Sequence, residues 1–343
     1  MNSNINMKKI YMLMIFFLFI LSLTALKLGS IEISVPDIVN TVISSVDIFN
    51  IVPDGGKVTD ASVRTIILNV RLPRIIMAIL VGMLLASSGT VVQTVFQNPL
   101  ADPYIIGISA SATLGAVIAF MLNMPDVMYG VLGFVTSVAA SLIIFRLSKA
   151  KKGTDITTLL IVGIAVSSFL GAFTSFSMYL IGQDSFRIVT WMMGYIGGAS
   201  WLKIIILVVP LTVSVVYFYS RRHDLDLILS GDEEAHSLGL DVGRAKKEML
   251  IISSLIVGFS VAFTGMIGFV GLIVPHTMRL LTGSSSNTKL IPLATLAGGI
   301  FLLVCDTVGR LALAPVEIPI GVVTSFFGAP FFLYLAMKRK NGG

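Results

Sequence analysis

Apolar residues fall in long blocks along this chain, separated by short polar stretches. After Lys8 and Lys9 the run IYMLMIFFLFILSLTAL extends about 17 residues without a charge. It fits either a signal peptide or a first transmembrane helix. The helix is favoured, because the run exceeds a usual signal core and no good small-residue cleavage pattern follows it. Further apolar blocks lie near 74–95, 104–123, 127–147, 156–182, 203–219, 248–268, 270–282, 291–309 and 320–337. The pattern predicts an all-α polytopic membrane protein of about ten transmembrane helices.

With the N-terminus cytoplasmic, the inner side receives the turn around Asn98, the SKAKKG stretch, the polar loop 221–247, the GSSSNTK loop and the tail KRKNGG. That arrangement puts roughly two thirds of all Lys and Arg inside, as the positive-inside rule requires, and both termini are then cytoplasmic. In the long outer segment 29–70, Ser34 can cap a helix with Pro36 in its first turn, and Val35, Ile38, Val39, Val42 and Ile43 share one face. This amphipathic helix either lies on the membrane surface or packs over the ends of the spans.

Composition agrees with a bilayer as solvent. Hydrophobic residues make up 55% of the chain and charged ones 12%, against roughly a quarter charged in soluble domains. The mean hydropathy of +0.94 over 343 residues spreads the apolar excess along the chain and leaves no room for a soluble domain of usual size. A single transmembrane domain, 1–343, is the simplest organisation. The net charge of +6 reflects cytoplasmic loops and not a nucleic-acid partner.

Several chemistries lack their residues. No GxxxxGK[ST] phosphate loop occurs, so ATP coupling must come from a partner. His223, His236 and His276 are scattered, and the single cysteine, Cys305, lies in an apolar run, so neither a metal site nor a disulfide framework is expected. No GxSxG elbow is present.

Four polar features interrupt the apolar bulk. In RLPR, Arg71 and Arg74 flank Pro73 at the outer start of the second span, facing water; spacing alone also allows arginines that merely anchor a helix end. The run GTVVQTVFQNPLADPYIIG, with Gln93, Gln97, Asn98 and Asp102, predicts a tight cytoplasmic turn broken by Pro99 and Pro103; a translocation-path role for its glutamines is the weaker alternative. In the 221–247 loop, Gly231 can cap a short helix with Asp232, Glu233 and Glu234 in its first turn, and Gly239 can end it. Ala235, Leu238 and Leu240 would then need a packing surface, on the chain itself or on a soluble partner. Toward the C-terminus, Asp306 and Arg310 are spaced to pair, and small residues in the last span suit helix packing.

RLPR, QNPLADP, WMMG at 191–194, SGDEEAHSLG at 230–239, GFVGLIVPHTMR at 268–279 and EIPIGVVTSFFGAPFF at 317–332 resemble, in this order, the FecCD-family permeases. These serve ABC importers of ferric siderophores, haem and cobalamin, and the resemblance runs from about residue 66 to the C-terminus. It implies a type II importer fold of ten helices, a homodimer enclosing the pathway, two cytoplasmic ATPase subunits using ATP and Mg, and an extracytoplasmic substrate-binding protein, all in a prokaryotic cytoplasmic membrane with its lipid. By the same resemblance Arg71, Arg74 and Arg310 receive the binding protein, and Gly231, Asp232, Glu233, Ala235, Leu238 and Gly239 belong to the coupling helix. Trp191, Met192 and Gly194, together with Gln93 and Asn98, become candidates for the pathway and its gate. Ser286-Asn287-Thr288 departs from the Asp-His-Arg often found there in the family.

The expected function is therefore a permease subunit, not an enzyme and without a cofactor of its own, carrying a ferric siderophore or related iron chelate. Haem or cobalamin is the alternative cargo. An ion-coupled secondary transporter is a remote alternative, because the acidic residues fall mainly in loops or near span ends.

Overall fold

The computed structural model describes residues 7–29, 31–46, 60–125, 127–150, 153–154 and 156–341. Helix α1 (Met7–Lys27) is followed by α2 (Val35–Val46), a short α3 (Ala61–Thr65), a π-helical turn Ile66–Arg71 and α4 (Leu72–Val95). A 3-10 turn, Pro103–Ile106, leads into α5 (Ile108–Met121); α6 (Val127–Leu147), α7 (Ile156–Ile181), α8 (Phe186–Met192) and α9 (Trp201–Ser220) follow. The polar loop 221–247 carries α10 (Arg222–Ser230) and α11 (Asp232–Ser237), and the chain finishes with α12 (Val242–Thr264), α13 (Val270–Thr282), α14 (Asn287–Leu311) and α15 (Ile320–Asn341). Among the described residues the only strand pairing joins Lys149–Ala150 to Gly153–Thr154.

Among the described residues seven helical stretches are long and apolar enough to cross a membrane. With the shorter α5, α13 and α15 they account for the ten segments expected from the sequence. The predicted block 248–268 stops at Thr264 because Gly265 turns the chain at φ +66° and Phe269 adopts φ +69°. The chain therefore crosses residues 265–269 without helix before α13 begins.

Helix α4 is the axis of the bundle. It is buried along nearly its whole length, whereas α1 exposes most of its apolar side chains, as a lipid-facing helix must. Helices α4 and α14 approach so closely that a Cβ on Gly82 would lie 2.2 Å from the Gly298 carbonyl oxygen. Only glycine permits that spacing, and close backbone approach is the main source of helix affinity where lipid removes the hydrophobic drive.

Ser34 caps α2 as expected, its Oγ accepting from the Asp37 N–H at 3.3 Å. Ile38 is buried, while Val35, Val39 and Ile43 are about half exposed. The helix thus packs on the chain through part of its apolar face and leaves the rest outward.

Candidate functional site

The C-terminal ends of α1 and α14 and the start of α4 converge on three arginines, and here the structure corrects the sequence. Arg71, Arg74 and Arg310 do not face water; each exposes less than a tenth of its surface (5%, 9% and 8%). Arg74 donates from Nε to Asp306 Oδ1 at 2.9 Å and from Nη1 to Glu317 Oε1 at 2.9 Å. Arg310 Nε lies 3.2 Å from Asp306 Oδ2 as an ion pair, so the expected Asp306–Arg310 pairing forms. The remaining guanidinium capacity goes to the C-terminal carbonyls of α1. Arg71 donates to Leu26 O at 2.6 Å and Lys27 O at 3.0 Å and also to Ile31 O; Arg310 reaches Ala25 O at 3.3 Å and Leu28 O at 3.4 Å. These are carbonyls a helix end leaves unpaired, and cations there also meet the negative end of the helix dipole. The burial follows from the position of Arg71 and Arg74 at the start of the most enclosed helix, which an RLPR pattern does not reveal.

Gln93 is likewise buried, at 2% exposure. Its Nε2 donates to Leu272 O at 2.9 Å and its Oε1 accepts from Arg279 Nη1, so it ties α4 to α13 and lines neither large cavity described below. Asn98 sits exposed in the turn after α4, where its Oδ1 accepts from the Leu100 N–H at 2.9 Å. In the same turn Asp102 caps the 3-10 helix by accepting from the Tyr104 N–H at 2.8 Å. Burial pushes the Asp102 carboxyl up to about 6, against the pull of that N–H.

Trp191 and Met192 end α8 and face different spaces. Met192 lines a cavity of about 720 Å3 with Met193, Met266, Tyr104, Gly321 and Phe326. Trp191 lines another of about 740 Å3 with Tyr129, Phe134, Phe186 and Lys203. Between them three non-helical crossings are stitched by backbone bonds: Tyr195 N–H to Thr264 O at 2.7 Å, Gly321 N–H to Met193 O at 3.0 Å, and Ile320 N–H to Gly194 O at 3.2 Å. Gly194 holds φ +82° there, where a Cβ would lie 2.7 Å from Met266 O. Met193, Met266 and Tyr104 were not singled out in the sequence; Met193 lies within the WMMG motif, and nearness to breaks between apolar blocks was the signal for the other two. Among the described residues no group of three His, Cys, Asp or Glu could hold a metal ion.

In the 221–247 loop Gly231 (φ +127°) precedes α11 and Gly239 (φ +90°) ends it. Leu240 N–H bonds to Ala235 O at 3.1 Å and Gly239 N–H to His236 O at 2.9 Å, closing the helix as a glycine terminus does. Asp232, Glu233 and Leu238 point outward, Leu238 with 68% of its surface exposed. Ala235 is fully buried against its own chain and Leu240 is half-buried, so of the three apolar residues Leu238 is the one fully open to a partner. Asp232 accepts from Lys246 Nζ at 2.6 Å and from Gln97 Nε2 at 3.1 Å, which fixes α11 to α12 and to the end of α4.

Comparison with known proteins follows this geometry. The FecCD transport family matches residues 14–338. The hemin transport system permease HmuU of Yersinia pestis is 34% identical, covering 99% of both chains. The cobalamin import permease BtuC of Halobacterium salinarum is 39% identical over 81% of this chain and 74% of its own. A solved chain assigned to the metal-chelate type of ABC transporter, in an inward-facing conformation, superposes with a TM-score of 0.83 at 29% identity, covering 96% of this chain and 99% of that one. On a match reaching from α1 to α15, this chain belongs to the FecCD transport family and is a membrane permease of the ABC-importer type.

Proposed function

We propose that the chain works as one permease domain that pairs with a second copy to carry a ferric siderophore or related iron chelate inward. The observation that carries this is the cavity of about 720 Å3 beside Met192, Met193, Met266 and Phe326. Its volume lies within the about 300–1,000 Å3 typical of small-molecule sites, and no charged side chain lines it. A bare hard ion such as ferric iron would need carboxylate or other charged oxygen ligands, and none lines the cavity; a metal already wrapped in a ligand needs only a wide, weakly adhesive wall. Phe326 is 81% exposed at the edge, so the cavity opens on a face that a second copy would close.

The 231–239 segment is the proposed contact for an ATPase subunit, with exposed Leu238, Asp232 and Glu233. The surface organised by Arg71, Arg74 and Arg310 is the proposed landing place of a substrate-binding protein. Support comes from convergence: the three guanidinium groups fix the outer ends of α1, α4 and α14, beside the exposed stretch 311–317. Both termini would be cytoplasmic, which agrees with Lys8 and Lys9 in the first turn of α1 and the KRK sequence in the last turn of α15.

The test is uptake into proteoliposomes holding the permease, its ATPase and the loaded binding protein, with ferric siderophore, haem and cobalamin offered separately. Preferential siderophore uptake dependent on ATP is expected. Preference for haem or cobalamin, the cargoes named for HmuU and BtuC, would overturn the choice of chelate. Transport along an ion gradient with no ATPase present would overturn the importer assignment itself.

A further inference from the structure

The cytoplasmic loop is tied to the membrane helices by a clasp centred on Asp226, in the middle of α10. Its Oδ1 accepts from the Asn287 N–H at 2.6 Å and from Asn287 Nδ2 at 2.9 Å, and its Oδ2 accepts from Ser286 Oγ at 3.0 Å. Asn287 begins α14, so Asp226 supplies from another helix the anionic cap that a helix N-terminus favours. Bonds to an ionised acceptor are also the stronger kind. Asn287 is fully buried, and its Oδ1 accepts from Thr94 Oγ1 in the last turn of α4 at 3.1 Å. One carboxylate on α10 therefore holds α14, and through it α4.

Two further ties make α10 and α11 move as a unit with that clasp. Gln97 Nε2 donates to Ile228 O at 2.6 Å as well as to Asp232. Leu225 and Ile228 are fully buried beneath α10.

Helices α4 and α14 are in turn locked to each other at three depths. Thr94 meets Asn287 at the inner end, Gly82 meets Gly298 backbone to backbone in the middle, and Arg74 meets Asp306 at the outer end. The pair forms a rigid strut that crosses the membrane. Its inner end is held by Asp226 and its outer end by the buried arginine cluster.

We propose that Asp226 is a positioning residue for transport: through Ser286, Asn287 and Thr94 it passes displacement of the 222–237 unit to the α4–α14 strut, which carries it to the outer mouth. The proposal rests on the reading of residues 231–239 as the ATPase contact. It also gives the Ser286-Asn287 departure a task, with neutral donors receiving a carboxylate that sits on the opposite helix.

The test uses the whole transporter in proteoliposomes, comparing wild type with Asp226→Ala and Asp226→Asn for ATP hydrolysis and uptake. In Asp226→Ala the ATPase should stay bound and hydrolyse, while uptake per ATP falls about tenfold, within the range of coupling free energies between sites. Asp226→Asn should recover most of that ratio, because its Oδ1 can still accept the Asn287 N–H. A merely structural role would lower hydrolysis, uptake and unfolding temperature together and leave the ratio unchanged. Should Asp226→Ala fail to fold, Thr94→Val removes the Thr94–Asn287 bond, together with the Thr94 bond to the Thr90 carbonyl within α4, and should lower the same ratio. A wild-type ratio in Asp226→Ala, or in Thr94→Val where that variant replaces it, overturns the proposal. A wild-type complex that retains no ATPase would be seen before any variant is made, and would defeat the underlying coupling reading instead.

Discussion

Arg74 Nε lies 2.9 Å from Asp306 Oδ1, joining α4 to α14 across 232 positions of sequence. The same carboxylate faces Arg310 at 3.2 Å, and Arg74 also holds Glu317. Asp306 is 2% exposed, so one buried anion balances two nearly buried cations. Desolvation makes such a cluster a weak net stabiliser while it is whole, but removing one partner strands charge in a medium that cannot solvate it. Asp306→Ala should therefore cost about 3 kcal/mol or more, read as an earlier thermal unfolding in detergent. Asp306→Asn, which can still accept from Arg74, should cost less.

The arginines themselves separate docking from architecture. Arg71→Lys keeps the positive charge but loses the fork that reaches Leu26, Lys27 and Ile31 together. Capture of the binding protein in a pull-down, measured beside thermal unfolding, distinguishes the roles. Because Arg71 spends its donors inside the chain, the expected result is that capture weakens only in step with stability. Lost capture with unchanged unfolding would show that Arg71 meets the partner directly.

A pH effect is expected at the turn after α4. Asp102 has its carboxyl pushed up to about 6 in the folded chain, against about 3.9 in an unfolded one. A raised carboxylate favours the folded state fully below the unfolded value, and that contribution is lost as pH rises through about 6. Asp102→Asn can keep the bond to Tyr104 without the buried charge. It should unfold at a higher temperature than wild type above pH of about 7, and the advantage should vanish near pH of about 4. An equal gap at both pH values would disprove the assignment.

The order of helices was legible in the sequence because the bilayer demands an apolar run for each crossing, and eight of the nine apolar blocks after α1 coincide with helices to within a few residues, while α12 starts six residues before its block and ends four before the block does. The caps at Ser34, Gly231 and Gly239 were legible for a similar reason: few residue types tolerate those positions. What escaped was pairing between distant segments. Nothing near RLPR says that Arg74 meets Asp306 and Glu317, and nothing near Asp226 says that it caps α14. Local pattern identifies a charged residue, and only packing decides whether it faces water or another helix. Gln93 shows the same limit, since a polar residue in an apolar block suits a pathway wall and a buried bridge to α13 equally well.

The coupling segment offers the sharpest contrast between neighbours. Leu238 is 68% exposed and Ala235 is fully buried, three residues apart in α11 and its C-terminal cap. A carboxylate at Leu238 would stand in solvent and cost the isolated permease little, since surface substitutions usually stay within about 0.5 kcal/mol. Against an apolar groove on an ATPase the same carboxylate would be desolvated without a partner. Leu238→Glu should therefore leave thermal unfolding unchanged while weakening ATPase co-purification and abolishing uptake. Ala235→Glu should instead disturb the fold of the loop itself, because no space remains around its side chain and the charge would be buried within the chain. If Leu238→Glu keeps both its ATPase and its uptake, the outward face of α11 is ordinary solvated surface, and the contact must lie elsewhere on the loop.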